Sequence, residues 1–448
     1  MIENIFSIFF KKNYDIEMSE FQVTRLLGYW LSSTKIIFED RSSKFSSKIK
    51  IRDFLVPYDL TEFMKLAGTS KKWNDKILSV KNVQINNIIL KSQINQKSSK
   101  IHFFKVLYNF SSKFIFDLKL KKSEIFRYIL KGFIPIKSKW IRTEKKIIPS
   151  KKLRKELFNH LIENEIQEDF AKFLSLTMPL VYLEGFDFFY NFFNKKKPLN
   201  LVTSYSHFYS TEFQFMMSIN KNTFLTIYEH GTESLNKINK TYNYEYSICN
   251  IFYGTSRLKE KLFSNYFFKA KTYPKYRLSK SFVEKCLVVN VTMPKYLTDI
   301  RSMPSSLDFK DYMESVNQYS KCLSLFYHVN HKNYPKKEGW SADELKMFGL
   351  YGEEKRNLKK SMKDYSLIVV TYPGSLFFDI LIQNLKIILC WDYEKYPLSD
   401  YELEQQLILN NILFKTPKEL NNYFLENNFK DIGNTNNEFK NFLIENYK

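Results

Sequence analysis

Residues 224–234 read FLTIYEHGTES, an apolar, β-branched run that stops at a Glu-His pair and hands over to Gly231 and Thr232. The chain has only six histidines, so one at the end of a strand-like run is informative. His230 can donate to a phosphate there or act as acid or base, and Glu229 or Glu233 would raise its pKa or move the proton itself. A hydrogen-bonded structural histidine fits the same position. Three more loops follow strand-like runs: TSYSHFYS (203–210) with Ser204 and His207, YHVNHKNYP (327–335) with His328 and His331, and TYPGS (371–375) with Tyr372, Gly374 and Ser375. Of His328 and His331, one is expected to face a ligand and the other solvent. Gly231 and Gly374 let backbone amides approach an anion, Thr232 and Ser375 add hydroxyl donors, and a following helix presents its positive end. That chemistry suits a diphosphate or a nucleotide phosphate, although plain turns share the composition. Asp379, four residues after Ser375, would hold a ribose or lock the loop.

Several chemistries lack their residues. The sequence has no GxSxG elbow, no Walker A loop, no GxGxxG fingerprint and no DxD-like pair after a strand. Cys249, Cys286, Cys322 and Cys390 are far apart and form no CxxC or Cys/His spacing. Neither a metal nor a tightly bound cofactor is expected, since amides, His and Lys can stabilise a leaving phosphate without one.

The elements that would carry these loops alternate. LNLVTSYS reads as a strand, STEFQFMMSIN as a helix capped by Ser210 or Thr211, TFLTIYEHGT as a strand, and YSICNIFYGTSRLKEKLF as a strand, turn and helix. After a linker near 270–283 the pattern restarts. KCLVVNVTMP, CLSLFYHVN, YSLIVVTYPGS and LKIILCWD read as strands, separated by the helices FKDYMESVNQYSK, EKRNLKKSMKD and LFFDILIQN and followed by the Thr416-Pro417 start of PKELNNYFLENN. Such alternation implies parallel sheets covered by helices, with ligands at the carboxyl ends of strands. At 448 residues, the chain is long enough for two domains. The expected fold class is α/β, with two Rossmann-like domains facing a cleft: an N-terminal extension over 1–150 packed on the first domain, a first domain over 151–280, and a second over 281–448. Within the extension, FQVTRLLGYWLSSTKIIFEDR has Phe21, Leu26, Leu27, Trp30, Leu31 and Ile37 at mostly helical spacing, which reads as core packing.

Lys and Arg outnumber Asp and Glu by 69 to 47, for a net charge of +22. That balance suits nucleic acid, an anionic membrane surface or phosphorylated substrates, and equally suits a Lys- and Asn-rich composition with no functional meaning. KKLRKELFNH and NKKKPLN are the best basic clusters and are short, which argues against nucleic acid and leaves the inner leaflet of a membrane open. No run of 18 or more apolar residues occurs and MIENIFSIFFKK is a poor signal peptide, so a cytoplasmic protein, soluble or peripheral at the membrane, is expected.

GYWLSSTKIIFEDR, LVTSYSHFYSTEFQFMMS followed by IYEHG, and VVTYPGSLFFDILIQNLKIILCWD occur in that order. They resemble the landmarks of a bacterial family of surface-polysaccharide transferases of GT-B architecture, similar to β-Kdo transferases. The loop usually reads Gln-His-Gly-Gly there, where this chain has Glu229 and Thr232 around His230-Gly231. His230-Gly231-Thr232, with Ser375 before Phe378-Asp379, also resembles the CDP-glycerol glycerophosphotransferases of wall-polymer synthesis. Either resemblance implies a cytidine-nucleotide donor and a surface polymer as product. The sugar transferase, favoured by the early GYW…EDR element, implies a nucleotide-sugar, CMP-linked by preference, and a glycan or lipid-linked acceptor. On that reading His230, Glu229 and Glu233 are catalytic. His328, His331, Tyr372, Gly374, Ser375 and Asp379 hold the donor, and Ser204, His207, Gly231 and Thr232 contact substrate.

Overall fold

The computed structural model describes residues 2–39, 104, 107–117, 122–137, 147–194, 198–220, 222–229, 240–254, 284–290, 309–332, 354, 356, 358–372, 374, 376–377, 380, 385–427, 432–433 and 437–446. The chain divides into two units. The first comprises Met1–Tyr228, Asn243–Phe252 and Tyr296–Arg301, and the second Glu229–Tyr242, Tyr253–Lys295 and Ser302–Lys448.

The first unit is built on a five-stranded sheet of β1 (Lys113–Phe116), β2 (Ile134–Ile136), β3 (Asn200–Thr203), β4 (Phe224–Tyr228) and β5 (Ile251–Tyr253), in the order β2-β1-β3-β4-β5. β1 pairs in parallel with β2 and β3, and β3 with β4. Register puts Phe114, Leu201 and Leu225 in one row and Phe116, Thr203 and Ile227 two residues on. The period of two therefore sends both rows to the same face, where they are buried. Residues within the expected 1–150 extension thus supply two of the five strands. Their shortness hides them, and Pro135 inside β2 reads against a strand. Proline is tolerated because β2 is the edge, where a missing N–H costs no ladder bond.

Helices α1 (Ile2–Tyr14), α2 (Glu20–Glu39), α3 (Lys122–Leu130), α4 (Lys151–Glu163), α5 (Glu168–Thr177), α6 (Phe186–Phe193), α7 (Ser206–Tyr209), α8 (Thr211–Ile219) and α9 (Lys240–Ile248) accompany this sheet. MIENIFSIFFKK becomes α1, which buries Phe6, Phe9 and Phe10, the last stacked on Phe186 at 4.2 Å. In α2, Val23, Leu26, Leu27 and Trp30 are buried at spacings of three and four, as the pattern implies. Phe21, expected with them, is exposed and lies under the Arg25 guanidinium at 4.3 Å. Arg25 is 1% exposed. It donates to the carbonyls of Met217 (3.1 Å), Thr223 (2.9 Å) and Ile248 (2.9 Å) and to Asn250 Oδ1 (3.0 Å). Met217 and Ile248 stand in the last turns of α8 and α9, so one buried cation satisfies orphan carbonyls at two helix ends. α8 is buried on every side and begins as expected at Ser210, whose Oγ accepts from the Phe213 amide at 3.1 Å.

The second unit holds β6 (Lys285–Val289), β7 (His328–Lys332), β8 (Leu367–Val370) and β9 (Ile387–Leu389), all parallel, in the order β7-β6-β8-β9. Its helices are α10 (Phe309–Ser324), α11 (Leu358–Ser361), α12 (Tyr401–Leu409), α13 (Pro417–Glu426) and α14 (Asn437–Asn446). Thr416 caps α13 ahead of Pro417, accepting from the Glu419 amide at 3.2 Å. Two strands begin later than the sequence suggests. CLS closes α10, so the strand expected over CLSLFYHVN starts only at His328, and YSI of YSICNIFYG belongs to α9. The expected linker at 270–283 lies outside the described residues. Among the described residues no helix is long and apolar enough to cross a membrane.

Candidate functional site

Each sheet changes its winding direction at one place. In the first, β1 leads outward to β2 on one side, while β3, on the other side of β1, leads on to β4 and β5. In the second, β6 leads to β7 on one side and β8 leads to β9 on the other. Chain connections diverge at these points, leaving a crevice beyond the carboxyl ends of the two strands, where open α/β sheets bind ligands. The switch points lie between β1 and β3 and between β6 and β8.

At the first switch point β1 is followed by Asp117 and β3 by Ser204-Tyr205-Ser206. Asp117 has φ 42°, a left-handed conformation that costs a non-glycine residue about 1 kcal/mol and that Asp tolerates better than most. Its Oδ2 accepts from Ser206 Oγ at 3.2 Å. The Thr203 hydroxyl accepts from the amides of Tyr205 (3.3 Å) and Ser206 (3.0 Å), which turns the chain sharply at the end of β3. The Tyr205 phenol is held above its ordinary pKa by burial and then by the Asp117 carboxylate. A carboxylate, a hydroxyl and a phenol therefore meet in one crevice, a set that can orient a sugar hydroxyl and accept its proton. The sequence reading missed Asp117, although it ends KFIF just as Glu229 ends FLTIY.

Ser204 stands just after β3 and is buried. His207, expected to touch substrate, is 0% exposed. Its Nε2 lies 2.8 Å from Glu245 Oε1, and its carbonyl accepts from Gln214 Nε2 at 2.7 Å. The ring is thus tied into the packing of α7, α8 and α9, through a partner 38 residues away. Glu229, the residue after β4, is buried, and its amide donates to the Tyr253 carbonyl at 2.8 Å. His230, Gly231, Thr232 and Glu233 lie outside the described residues.

At the second switch point β6 is followed by Asn290 and β8 by Thr371-Tyr372. Thr371 is fixed on both sides: its Oγ1 donates to the Val289 carbonyl at 3.1 Å, and its own carbonyl accepts from Tyr312 at 3.0 Å. The TYPGS loop therefore leaves the sheet from an anchored residue. The Gly374 amide donates to the Tyr372 carbonyl at 2.8 Å and its carbonyl accepts from the Phe377 amide at 3.0 Å. That amide is engaged within the turn, so what Gly374 offers a ligand is its missing side chain rather than its N–H. Among the described residues nothing requires glycine here: a Cβ would meet only Tyr372, at Cδ1 (3.6 Å) and its carbonyl oxygen (4.0 Å). Gly433 contrasts with it, having φ +63° and an added Cβ 2.5 Å from the Ile387 carbonyl oxygen. Ser375 and Asp379 lie outside the described residues.

The two histidines of YHVNHKNYP sit within β7 rather than in a loop after it, three residues apart and so on opposite faces of the sheet. His328 opens the strand and is exposed, far along it from the carboxyl end. His331 is buried beside that end, its Nδ1 facing Asn290 Nδ2 at 3.2 Å. Burial pulls its pKa down to about 4. The ring is therefore neutral near pH 7, and its Nδ1 accepts from the amide. Lys332 closes the strand by donating to the Glu354 and Arg356 carbonyls, both at 2.6 Å. Among the described residues no group of three or more His, Cys, Asp or Glu side chains gathers as a metal site.

Polar groups thus gather at the switch point of each parallel sheet, and the comparison with known proteins gives a reaction class. No curated protein matches the chain. A family model described as LIC12162 family transferase matches residues 35–432. The match spans nearly all of the chain, which therefore belongs to the LIC12162 family of transferases.

Proposed function

We propose that the chain is a glycosyltransferase of GT-B type that moves a sugar from a nucleotide-activated donor to a glycan or lipid-linked acceptor of the cell surface. The observation that carries this reading is the repeated architecture: two parallel sheets, each with a polar switch point at its carboxyl edge, in a chain of a transferase family. The second unit receives the nucleotide. Asn290, Tyr372 and the open space over Gly374 line its approach, and Ser375 and Asp379 keep their expected roles toward phosphate and ribose. The acceptor hydroxyl is received at the carboxyl edge of the first sheet, and its proton passes to a carboxylate, Asp117 after β1 or Glu229 after β4. The freed oxygen attacks the anomeric carbon, the bond from that carbon to the phosphate oxygen breaks, and the nucleotide leaves with the charge. His230, at the end of FLTIYEHGTES, stabilises that departing phosphate. A CMP-linked acidic sugar related to Kdo is the favoured donor, and the inner face of the cytoplasmic membrane the favoured location.

Calorimetric titration with CMP, CDP, UDP and GDP tests the donor. One nucleotide should bind and, at a hundredfold excess over its Kd, stabilise the protein by about 2.7 kcal/mol. Asp117→Asn tests the acceptor side. Asn tolerates the left-handed conformation, so folding and nucleotide binding should persist while transfer falls about a hundredfold or more. Binding of none of the four nucleotides would refute the donor reading, and full transfer by Asp117→Asn would move the base to Glu229. Transfer of glycerophosphate instead of a sugar would assign the glycerophosphotransferase chemistry.

A further inference from the structure

α3 is the crossover helix between β1 and β2, a position whose apolar face ordinarily packs on the sheet. Here Phe126, Ile129 and Leu130, at spacings of three and one, form a single stripe that faces solvent, with Phe126 57% and Leu130 70% exposed. The inward side is taken by Tyr128, whose hydroxyl lies 2.7 Å from that of Tyr228. Phe110, just before β1, is 88% exposed, and Phe224, the first residue of β4, is also exposed. A cavity of about 480 Å³ joins this helix to the sheet, lined by Lys113, Lys131, Phe133 and Phe224 among others. Lys113 opens β1, Phe224 opens β4 and Lys131 precedes β2, and Ile129 and Leu130 close α3, so the patch centres on the amino edge of the sheet, with Phe126 one turn back along the helix. Arg127 in the last turn of α3, Lys131 just after it and Lys113 at the start of β1 give this edge its positive charge.

We propose that this amino edge docks on an anionic lipid bilayer, which would bring a lipid-linked acceptor of the proposed transfer to the enzyme. An exposed aromatic and aliphatic stripe flanked by Lys and Arg is the composition that inserts at a headgroup boundary, apolar side chains downward and cations toward lipid phosphates. A second copy of the chain fits less well, because a two-fold interface would set these cations against their own equivalents.

Sedimentation with sucrose-loaded vesicles tests this, using phosphatidylcholine alone and an equal mixture of phosphatidylcholine and phosphatidylglycerol. The protein should bind the anionic vesicles and leave the neutral ones. Arg127→Gln and Lys131→Gln should each weaken binding about fivefold, and Phe126→Ser with Leu130→Ser should weaken it further. These side chains are exposed, so unchanged thermal melting should verify that each variant is folded. Failure to bind anionic vesicles, or variants that bind as well as the parent, overturns the proposal. So does a dimer in sedimentation equilibrium that Phe126→Ser dissociates, which assigns the stripe to a second copy. Nucleotide titration on the same samples separates the two readings: nucleotide binding without vesicle binding removes only the docking surface, and the reverse removes only the transferase donor site.

Discussion

Lowering the pH from 6.5 towards 4 should destabilise the second unit through one side chain, His331. Its ring is 5% exposed in β7, and Nδ1 accepts from Asn290 Nδ2 at 3.2 Å. Protonation would place two donors against each other in a buried site. Burial holds the folded pKa at about 4 against an ordinary 6.5, so the unfolded chain takes up the proton first. The stabilisation is complete above pH 6.5 and is lost as the pH falls to about 4. The slope is about 1.4 kcal/mol per pH unit, which amounts to roughly 3 kcal/mol over the window. That is a large share of the 5–15 kcal/mol typical of a domain. His331→Asn puts a carbonyl oxygen near the Nδ1 position and cannot titrate there, so its stability should lack this acid limb. Two measurements decide: NMR titration of the His331 ring, tractable with six histidines in the chain, and urea unfolding of both proteins across the window. A ring that titrates near 6.5, or equal acid losses in parent and variant, would refute the reasoning.

Arg25→Met should cost about 3–5 kcal/mol, because it leaves the Met217, Thr223 and Ile248 carbonyls buried without their donor. Thermal or urea unfolding checks this, and a loss under about 1 kcal/mol would show that water or neighbours replace the guanidinium. Two glycines should separate fold from ligand. Gly374→Val should keep stability and weaken nucleotide binding in calorimetry, since the protein itself leaves room for a side chain there. Gly433→Ala should do the reverse and lower stability by more than about 1 kcal/mol, since φ is positive and the new methyl meets the Ile387 backbone. Equal effects on stability would contradict both assignments.

What could be read from residues alone was whatever local pattern decides. β3, β4, β6 and β8 are buried apolar runs ending in polar residues, β9 is a buried apolar run, and Ser210 and Thr416 announce their helices by capping chemistry. Glu229, Ser204, Tyr372 and Gly374 occupy strand ends for the same reason. Long-range partners were not legible. His207 is claimed by Glu245, and β1 and β2 exist because a neighbouring strand holds them in register rather than because KFIF or IPI would extend alone. CLSLF misled because two patterns overlap: its apolar residues suit a strand, yet Leu323 continues the buried face of α10 from Tyr312, Val316 and Tyr319 at helical spacing. That error moved His328 from the start of a strand to a loop beyond one.

The two edges of the first sheet differ in chemistry for a physical reason. A strand covered on both faces is apolar through its middle, so residues with another role gather at its two ends. At the carboxyl edge those residues are Asp117, Ser204, Tyr205 and Ser206, with Ser206 bonded to Asp117 and the Tyr205 and Ser206 amides to Thr203. At the amino edge they are Lys113, Asn200 and Phe224, with Lys131 and the α3 stripe beside them. The winding reversal between β1 and β3 leaves room beyond the carboxyl ends of these strands, which suits the acceptor side of the proposed transfer. The amino edge has cations and exposed rings, a surface suited to attachment rather than chemistry. An enzyme that modifies an acceptor held in a bilayer needs both at once, and a parallel sheet separates them by the length of its strands. Arg127→Gln and Asp117→Asn should accordingly be independent: the first should weaken vesicle binding and leave transfer to a water-soluble acceptor intact, and the second should do the opposite.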